Sequence, residues 1–254
     1  MTRLPRAILF DLDETLLSFG ERREQIGAAL EVIADLLAPV SRAQAIEAIE
    51  AAFKAHWADQ AAHRAWRAKP LIEARMQIAR DAFATLESLG CGGLDEAHAR
   101  EFARTFHAYR EAQISPFPDA LETLDTLRAR HVRLGLITNG QAQIQRAKIR
   151  RFDLARRFDH IQIEGEHGFG KPEPQAYRHA LESLGVAAHE TWMVGDNLEW
   201  EVIAPQRAGL TAIWFDPRGA GLPPGSPARP DRVIRFLREL LDEAPGPTAP
   251  ETAP

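Results

Sequence analysis

Cysteine is almost absent: the 254-residue chain has one, Cys91, so neither an intrachain disulfide nor a thiolate zinc cluster can form. Such usage fits a reducing compartment, and the cytoplasm is the expected location. Lysine is nearly as scarce, with Lys54, Lys69, Lys148 and Lys171 alone among 31 basic side chains, so chemistry that needs an ammonium group has few candidates. Long apolar runs are missing too. The N-terminus offers only Ala7 to Phe10 unbroken, too short for a signal-peptide core or a membrane span, so neither export nor anchoring is expected. Positive charge is not in excess: 31 basic against 36 acidic side chains leave a net charge of −5, which argues against a nucleic-acid partner or a polybasic membrane anchor. A small anionic substrate needs only a local positive site. No HExxH or CxxC pattern occurs, so zinc is not indicated.

What remains is an ordinary globular mixture, 45% hydrophobic and 26% charged, enough to build a core without staples. Short apolar runs suited to strands buried on both faces occur at Ala7–Phe10, Arg133–Ile137, His160–Ile163, Thr191–Val194 and Thr211–Phe215. Helical patterns at Gln141–Arg151, Pro174–Leu184 and Glu199–Ala208 alternate with them, the order that produces parallel strands joined by crossover helices. The expected fold class is α/β, a doubly wound parallel sheet. One stretch breaks the alternation. From about Arg22 to Gln113 the chain is rich in Ala, Glu and Arg, and apolar residues recur at helical spacing: Ile26, Leu30, Ile33 and Leu37, later Phe102, Phe106 and Tyr109. Turn chemistry flanks it at Ser18-Phe19-Gly20 and Ser115-Pro116-Phe117-Pro118. An inserted all-helical unit over 18–114 is therefore expected within a core formed by 1–17 and 115–243. Val233–Leu241 is amphipathic and is expected to close the core as a terminal helix, and 244–254 (Ala-Pro-Gly-Pro-Thr-Ala-Pro-Glu-Thr-Ala-Pro) should be disordered.

Four elements carry candidate chemistry. Asp11 and Asp13 follow the first strand, where ligands of open α/β sheets bind, and their spacing in extended chain sends both carboxylates to one side. With Thr15 they suit a nucleophile and acid/base pair, a divalent-metal seat or a simple capped turn. Thr138-Asn139-Gly140 ends the second core strand and offers a hydroxyl and backbone N–H groups to phosphate oxygens, or else an N-cap. Lys171 stands between Gly170 and Pro172 as a charge on a stiff backbone, though most lysines are solvated. Val194-Gly195-Asp196-Asn197, with Glu199 and Glu201 behind, can complete an oxygen-rich magnesium site with Asp11, or cap a helix.

Taken in order, FDLDETL, ITNG, GKPEP and GDN resemble the four signature motifs of the haloacid dehalogenase superfamily. The resemblance covers residues 5–17 and 115–241; the helical insertion is similar to the cap that many members carry after the first motif. It implies a Rossmann-like core and a magnesium-dependent phosphatase acting on a small phosphorylated metabolite. Asp11 would be the nucleophile and a magnesium ligand. Asp13 would protonate the leaving oxygen, then activate water, and lend its backbone carbonyl to the metal. Thr138, Asn139 and Gly140 would hold phosphoryl oxygens, Lys171 would neutralise charge between nucleophile and phosphate, and Asp196 would be the remaining carboxylate ligand. Glu201 stands where many relatives carry Asp, and Glu201 or Asn197 is expected to orient metal-bound water.

Asp13 separates this reading from the dehalogenases of the superfamily, which lack that acid, and from phosphonate-cleaving relatives, which depend on a cap lysine for which Lys54 and Lys69 are the candidates. A phosphomutase or phosphotransferase would use the same core residues. A receiver-type signalling module would have no large insertion, and a regulatory protein without catalysis would have lost a signature position. His56 and His63, seven residues apart near Trp57 and Trp66, are read as a buried or snorkelling helix face rather than a substrate-contacting stripe. Oligomeric state is not encoded in any of these features.

Overall fold

The computed structural model describes residues 4–58 and 70–242, the side chains at 57 and 58 excepted. The chain divides into two compact units, one formed up to Ser18 and from Ser115 onward, the other by Phe19–Ile114. The expected disordered tail, and with it Lys69, His63 and Trp66, lies outside the described residues.

The first unit is built on a six-stranded sheet. In chain order its strands are β1 (Ala7–Phe10), β4 (Arg133–Thr138), β5 (His160–Ile163), β6 (Thr191–Gly195), β7 (Thr211–Phe215) and β8 (Arg232–Ile234); β2 (Leu17–Ser18) and β3 (Ser115–Pro116) form a separate antiparallel pair. The spatial order is β5-β4-β1-β6-β7-β8 and every pairing in the sheet is parallel. This is the doubly wound Rossmann-like arrangement. All four residues of β1 are fully buried, as a central strand covered on both faces requires. β1 lies between β4 and β6 in a register that pairs Phe10 with both Leu136 and Val194, so the three chains leave the sheet side by side. That placement brings the first, second and fourth motifs to one edge.

The expected terminal helix over Val233–Leu241 is not present. Arg232–Ile234 instead pairs with β7 as an edge strand, and only Leu237–Leu241 turns helically, as a short 3₁₀ segment. The reason is non-local. The β7 edge offers unpaired backbone groups to a segment holding two β-branched residues, and Glu239 Oε1 then caps the N–H groups of Arg235 and Phe236, both at 2.8 Å.

The second unit is helical: α1 (Arg22–Leu30), a 3₁₀ continuation over Glu31–Leu36, α2 (Arg42–Ala58), α3 (Leu71–Ser88) and α4 (Glu96–Gln113). Ile26, Leu30, Ile33 and Leu37 join Phe83, Phe102 and Phe106 in its own hydrophobic core, so this unit buries an apolar face independently. Tyr109 departs from that row and is 43% exposed. Cys91 is buried here and its Sγ–H donates to the Leu37 carbonyl at 3.0 Å. Among the described residues no helix is long and apolar enough to cross a membrane.

Candidate active site

Asp11 is the first residue beyond β1, and its N–H donates to the Val194 carbonyl at 3.0 Å, extending the strand ladder to the site itself. The chain then turns sharply. Glu14 takes a left-handed conformation at φ 61°, and the N–H groups of Leu16 and Leu17 both return to the Leu12 carbonyl. This loop folds Thr15 back under the strand end, fully buried, with Oγ1 3.3 Å from Asp11 Oδ2 and 3.4 Å from Asp196 Oδ1. One hydroxyl therefore joins the carboxylates of the first and fourth motifs.

The other Asp11 oxygen, Oδ1, accepts a hydrogen bond from Lys171 Nζ at 2.5 Å, and the same ammonium reaches Glu201 Oε1 at 2.7 Å. Lys171 is buried. Burial works against its charge, but Asp11 and Glu201 outweigh that cost and hold its pKa above the ordinary value, so it stays protonated. Asp11 itself is pushed up by burial, with Lys171 opposing and Asp13 adding to the rise. Burial raises Glu201 to about 7, with Lys171 opposing and Asp11 reinforcing the rise.

Glu201 is engaged at both oxygens: its Oε2 accepts the backbone N–H of Asn197 at 2.8 Å while its Oε1 braces Lys171. Asn197 is also occupied: its Oδ1 caps the following π-helical turn, Leu198–Ile203, by accepting from the N–H groups of Glu199 and Trp200, each at 3.0 Å. Gly195 makes room for this arrangement. A Cβ there would lie 2.1 Å from Glu201 Cγ, well inside contact distance. Gly195→Ala is expected to displace Glu201, loosen Lys171 and cut turnover at least about tenfold, the equivalent of roughly 1.4 kcal/mol in the barrier; steady-state kinetics would check this, and unchanged turnover would contradict the bracing role.

On the other flank, Thr138 is buried at the end of β4. Asn139 does not present its side chain to the space in front of the strand ends. Its Nδ2 donates to the Lys171 carbonyl at 2.7 Å and its Oδ1 accepts the Lys171 N–H at 2.9 Å, a reciprocal pair that fixes the lysine-bearing loop. The Gly140 N–H, expected to face phosphate, instead donates to Glu164 Oε2 at 3.0 Å. Thr138 is thus the member of ITNG whose side chain stays with the acids. Its Oγ1 accepts from Gln145 Nε2 at 2.5 Å, and that same nitrogen lies 3.1 Å from Asp13 Oδ2 and 2.9 Å from the Asn139 carbonyl. Asp13 is further held by Lys148 Nζ, 2.8 Å from each carboxylate oxygen. Gln145 and Lys148 were not singled out from the motifs. The available signal is that the helix α5 (Ala142–Arg151) turns Gln145, Lys148 and Ile149 inward together, and a helix seldom buries a polar pair without a partner.

Asp196 follows β6, and its carbonyl accepts from Trp214 Nε1 at 2.8 Å. Burial lifts its pKa well above the usual range, helped by Glu201, Asp11 and Glu14 and opposed by Lys171. Among the described residues, the four carboxylates Asp11, Asp13, Asp196 and Glu201 thus meet two ammonium groups, Lys148 and Lys171. The surplus of negative charge and the all-oxygen donors fit a hard divalent cation at Asp11 and Asp196. A site of two carboxylates is of the kind that keeps several waters.

The chain is similar to several known proteins. Residues 5–209 match the family of haloacid dehalogenase-like hydrolases. A phosphoserine phosphatase of Thermus thermophilus is 35% identical over 264 residues, covering 93% of this chain and 98% of the relative. A glyceraldehyde 3-phosphate phosphatase of Pyrococcus abyssi is 34% identical over 110 residues, 43% of this chain and 46% of its own length. Among solved structures, the HAD-hydrolase YfnB of Bacillus subtilis, bound to magnesium, has a TM-score of 0.64 at 22% identity and covers 94% of this chain and 98% of that one. At that identity the likeness carries the fold alone. With a family match across most of the chain and a relative alike over nearly its whole length, one assignment follows: the chain belongs to the haloacid dehalogenase-like hydrolase family, on its branch of phosphoric monoester hydrolases.

Proposed function

We propose that the protein is a magnesium-dependent phosphatase that hydrolyses a small phosphorylated metabolite in the cytoplasm through an aspartyl-phosphate on Asp11. The observation that carries this reading is the pairing of Asp11 with the buried Lys171 ammonium at 2.5 Å, beside the second acid, Asp13. A carboxylate alone in that setting would be a poor nucleophile toward a dianion; with one oxygen held by the ammonium, repulsion falls and the other stays available.

The steps assigned to the side chains balance. An Asp11 oxygen bonds to phosphorus as the ester P–O bond breaks, and the leaving oxygen takes a proton from the Asp13 carboxyl. Asp13, now a carboxylate, takes a proton from water while the water oxygen attacks phosphorus, the Asp11–phosphorus bond breaks, and phosphate departs. Thr138 hydrogen-bonds the transferring phosphoryl group, and Lys171 neutralises charge between that group and Asp11. Magnesium held by Asp11, Asp196 and the Asp13 carbonyl would supply the remaining positive charge. Asn139 acts by fixing the backbone of Lys171.

The test is phosphate release from a panel of phosphorylated amino acids, sugars, nucleotides and hydroxy acids in the presence of magnesium. Phosphoserine comes first, because the relative alike over nearly its full length is a phosphoserine phosphatase. Release is expected from at least one member, to stop with EDTA and to return with added magnesium. Undiminished release from metal-free protein would remove the cofactor, and no release from any member would remove the reading.

A further inference from the structure

We infer that Lys148 and Gln145 are positioning residues for Asp13: they hold its side chain, and through Gln145 the Thr138 hydroxyl, in the place from which Asp13 passes its proton to the leaving oxygen and, as carboxylate, takes one from water. This inference rests on the phosphatase reading above. Lys148 Nζ lies at the same 2.8 Å from both Asp13 oxygens, which fixes the plane of the carboxylate as well as its place. Gln145 Nε2 spans Asp13 Oδ2 at 3.1 Å and Thr138 Oγ1 at 2.5 Å. One amide thereby ties the group that handles the leaving oxygen to the group that handles the phosphoryl oxygens, and their separation is set by a rigid helix rather than by the loop that carries Asp13.

The placement is costly to build. Lys148 is buried although it lies on a helix whose other basic residues in the last turn, Arg150 and Arg151, are exposed. The Asp13 carboxylate is a partner of Lys148 there, in an ion pair that joins the first motif to the helix after the second. Gln145 and Lys148 stand three residues apart, on one face with Ile149, which anchors that face in the core. Lys171 has a parallel organisation: an ammonium oriented by a neighbour, Glu201, that need not touch substrate.

Positioning of an acid is distinguished from general support of the fold by leaving-group dependence. An alkyl phosphate such as phosphoserine needs its leaving oxygen protonated, whereas 2,4-dinitrophenyl phosphate releases a stable anion without help. Both would be measured by single-turnover quench on the same preparation of wild type, Lys148→Met, Lys148→Arg and Gln145→Leu, so that their ratio is unaffected by the fraction folded. Lys148→Met is expected to lose about 100-fold with the alkyl ester and less than about tenfold in the dinitrophenolate burst, Gln145→Leu to shift the ratio the same way by a smaller factor, and Lys148→Arg to restore most of it. Equal losses on the two esters, or no loss on either, would overturn the inference while wild-type turnover that needs Asp11 leaves the phosphatase reading standing. A wild type inactive on both esters would overturn the two together.

Discussion

Asp11→Asn is expected to lower phosphate release by roughly 10⁴-fold or more, with far-ultraviolet circular dichroism unchanged. An amide oxygen at this position neither forms the phosphoryl bond nor leaves as a carboxylate when water attacks. The fold should tolerate the change because Asp11 is itself a charge held at a loss: burial raises its pKa above the unfolded value. The sign follows directly. A carboxyl with a raised folded pKa contributes stability at low pH that disappears as pH rises through that value, so at neutral pH and without metal the neutral amide should be as stable as the wild type or more so. Acid-quenched wild type should carry phosphate on the peptide containing Asp11, and the variant should not. Ordinary release by the Asp11→Asn protein would end the nucleophile assignment.

Lys171→Met is expected to be nearly as damaging, and on two counts. The ammonium is fully buried between Asp11 and Glu201, so its loss leaves two carboxylates without their shared counter-charge, a change worth about 3–5 kcal/mol of stability. Turnover should fall by about 10²–10³-fold because the attacking group then meets the phosphate dianion with less positive charge between them. The double variant Lys171→Met with Glu201→Gln separates these effects: removing one orphaned charge should recover much of the melting temperature and none of the activity. A double variant with wild-type turnover would show that Lys171 only supports the fold.

The legible parts of the chain were those fixed by local chemistry. Ala7–Phe10, His160–Ile163 and Thr211–Phe215 are strands over the ranges expected from their composition, because strands covered on both faces must be short apolar runs bounded by turn residues. Pro174–Leu184 is likewise a helix over its full expected range, with Pro in the first position and Gly185 in the left-handed conformation at its end. Val233–Leu241 misled because its helical spacing competes with a partner, β7, that lies elsewhere in the chain. At the site, Asp11, Thr138 and Asp196 could be named from strand-end positions and Lys171 from its place between Gly170 and Pro172, but their neighbours could not. Glu201 braces Lys171 only because Gly195 leaves space for its stem, and Asn139 ties the Lys171 backbone rather than facing the substrate space. Lys148 was visible only as one of four lysines; its pairing with Asp13 depends on how far α5 is set back from the strand end.

The chain's single thiol is packed inside the helical unit, with its proton given to a backbone carbonyl. None of the groups assigned to the reaction contains sulfur, so the chemistry requires no reductant. Iodoacetamide and maleimides should find little to modify in the folded protein. A cysteine engineered at a chosen surface position would then accept a spectroscopic label almost without background, without removing Cys91 first.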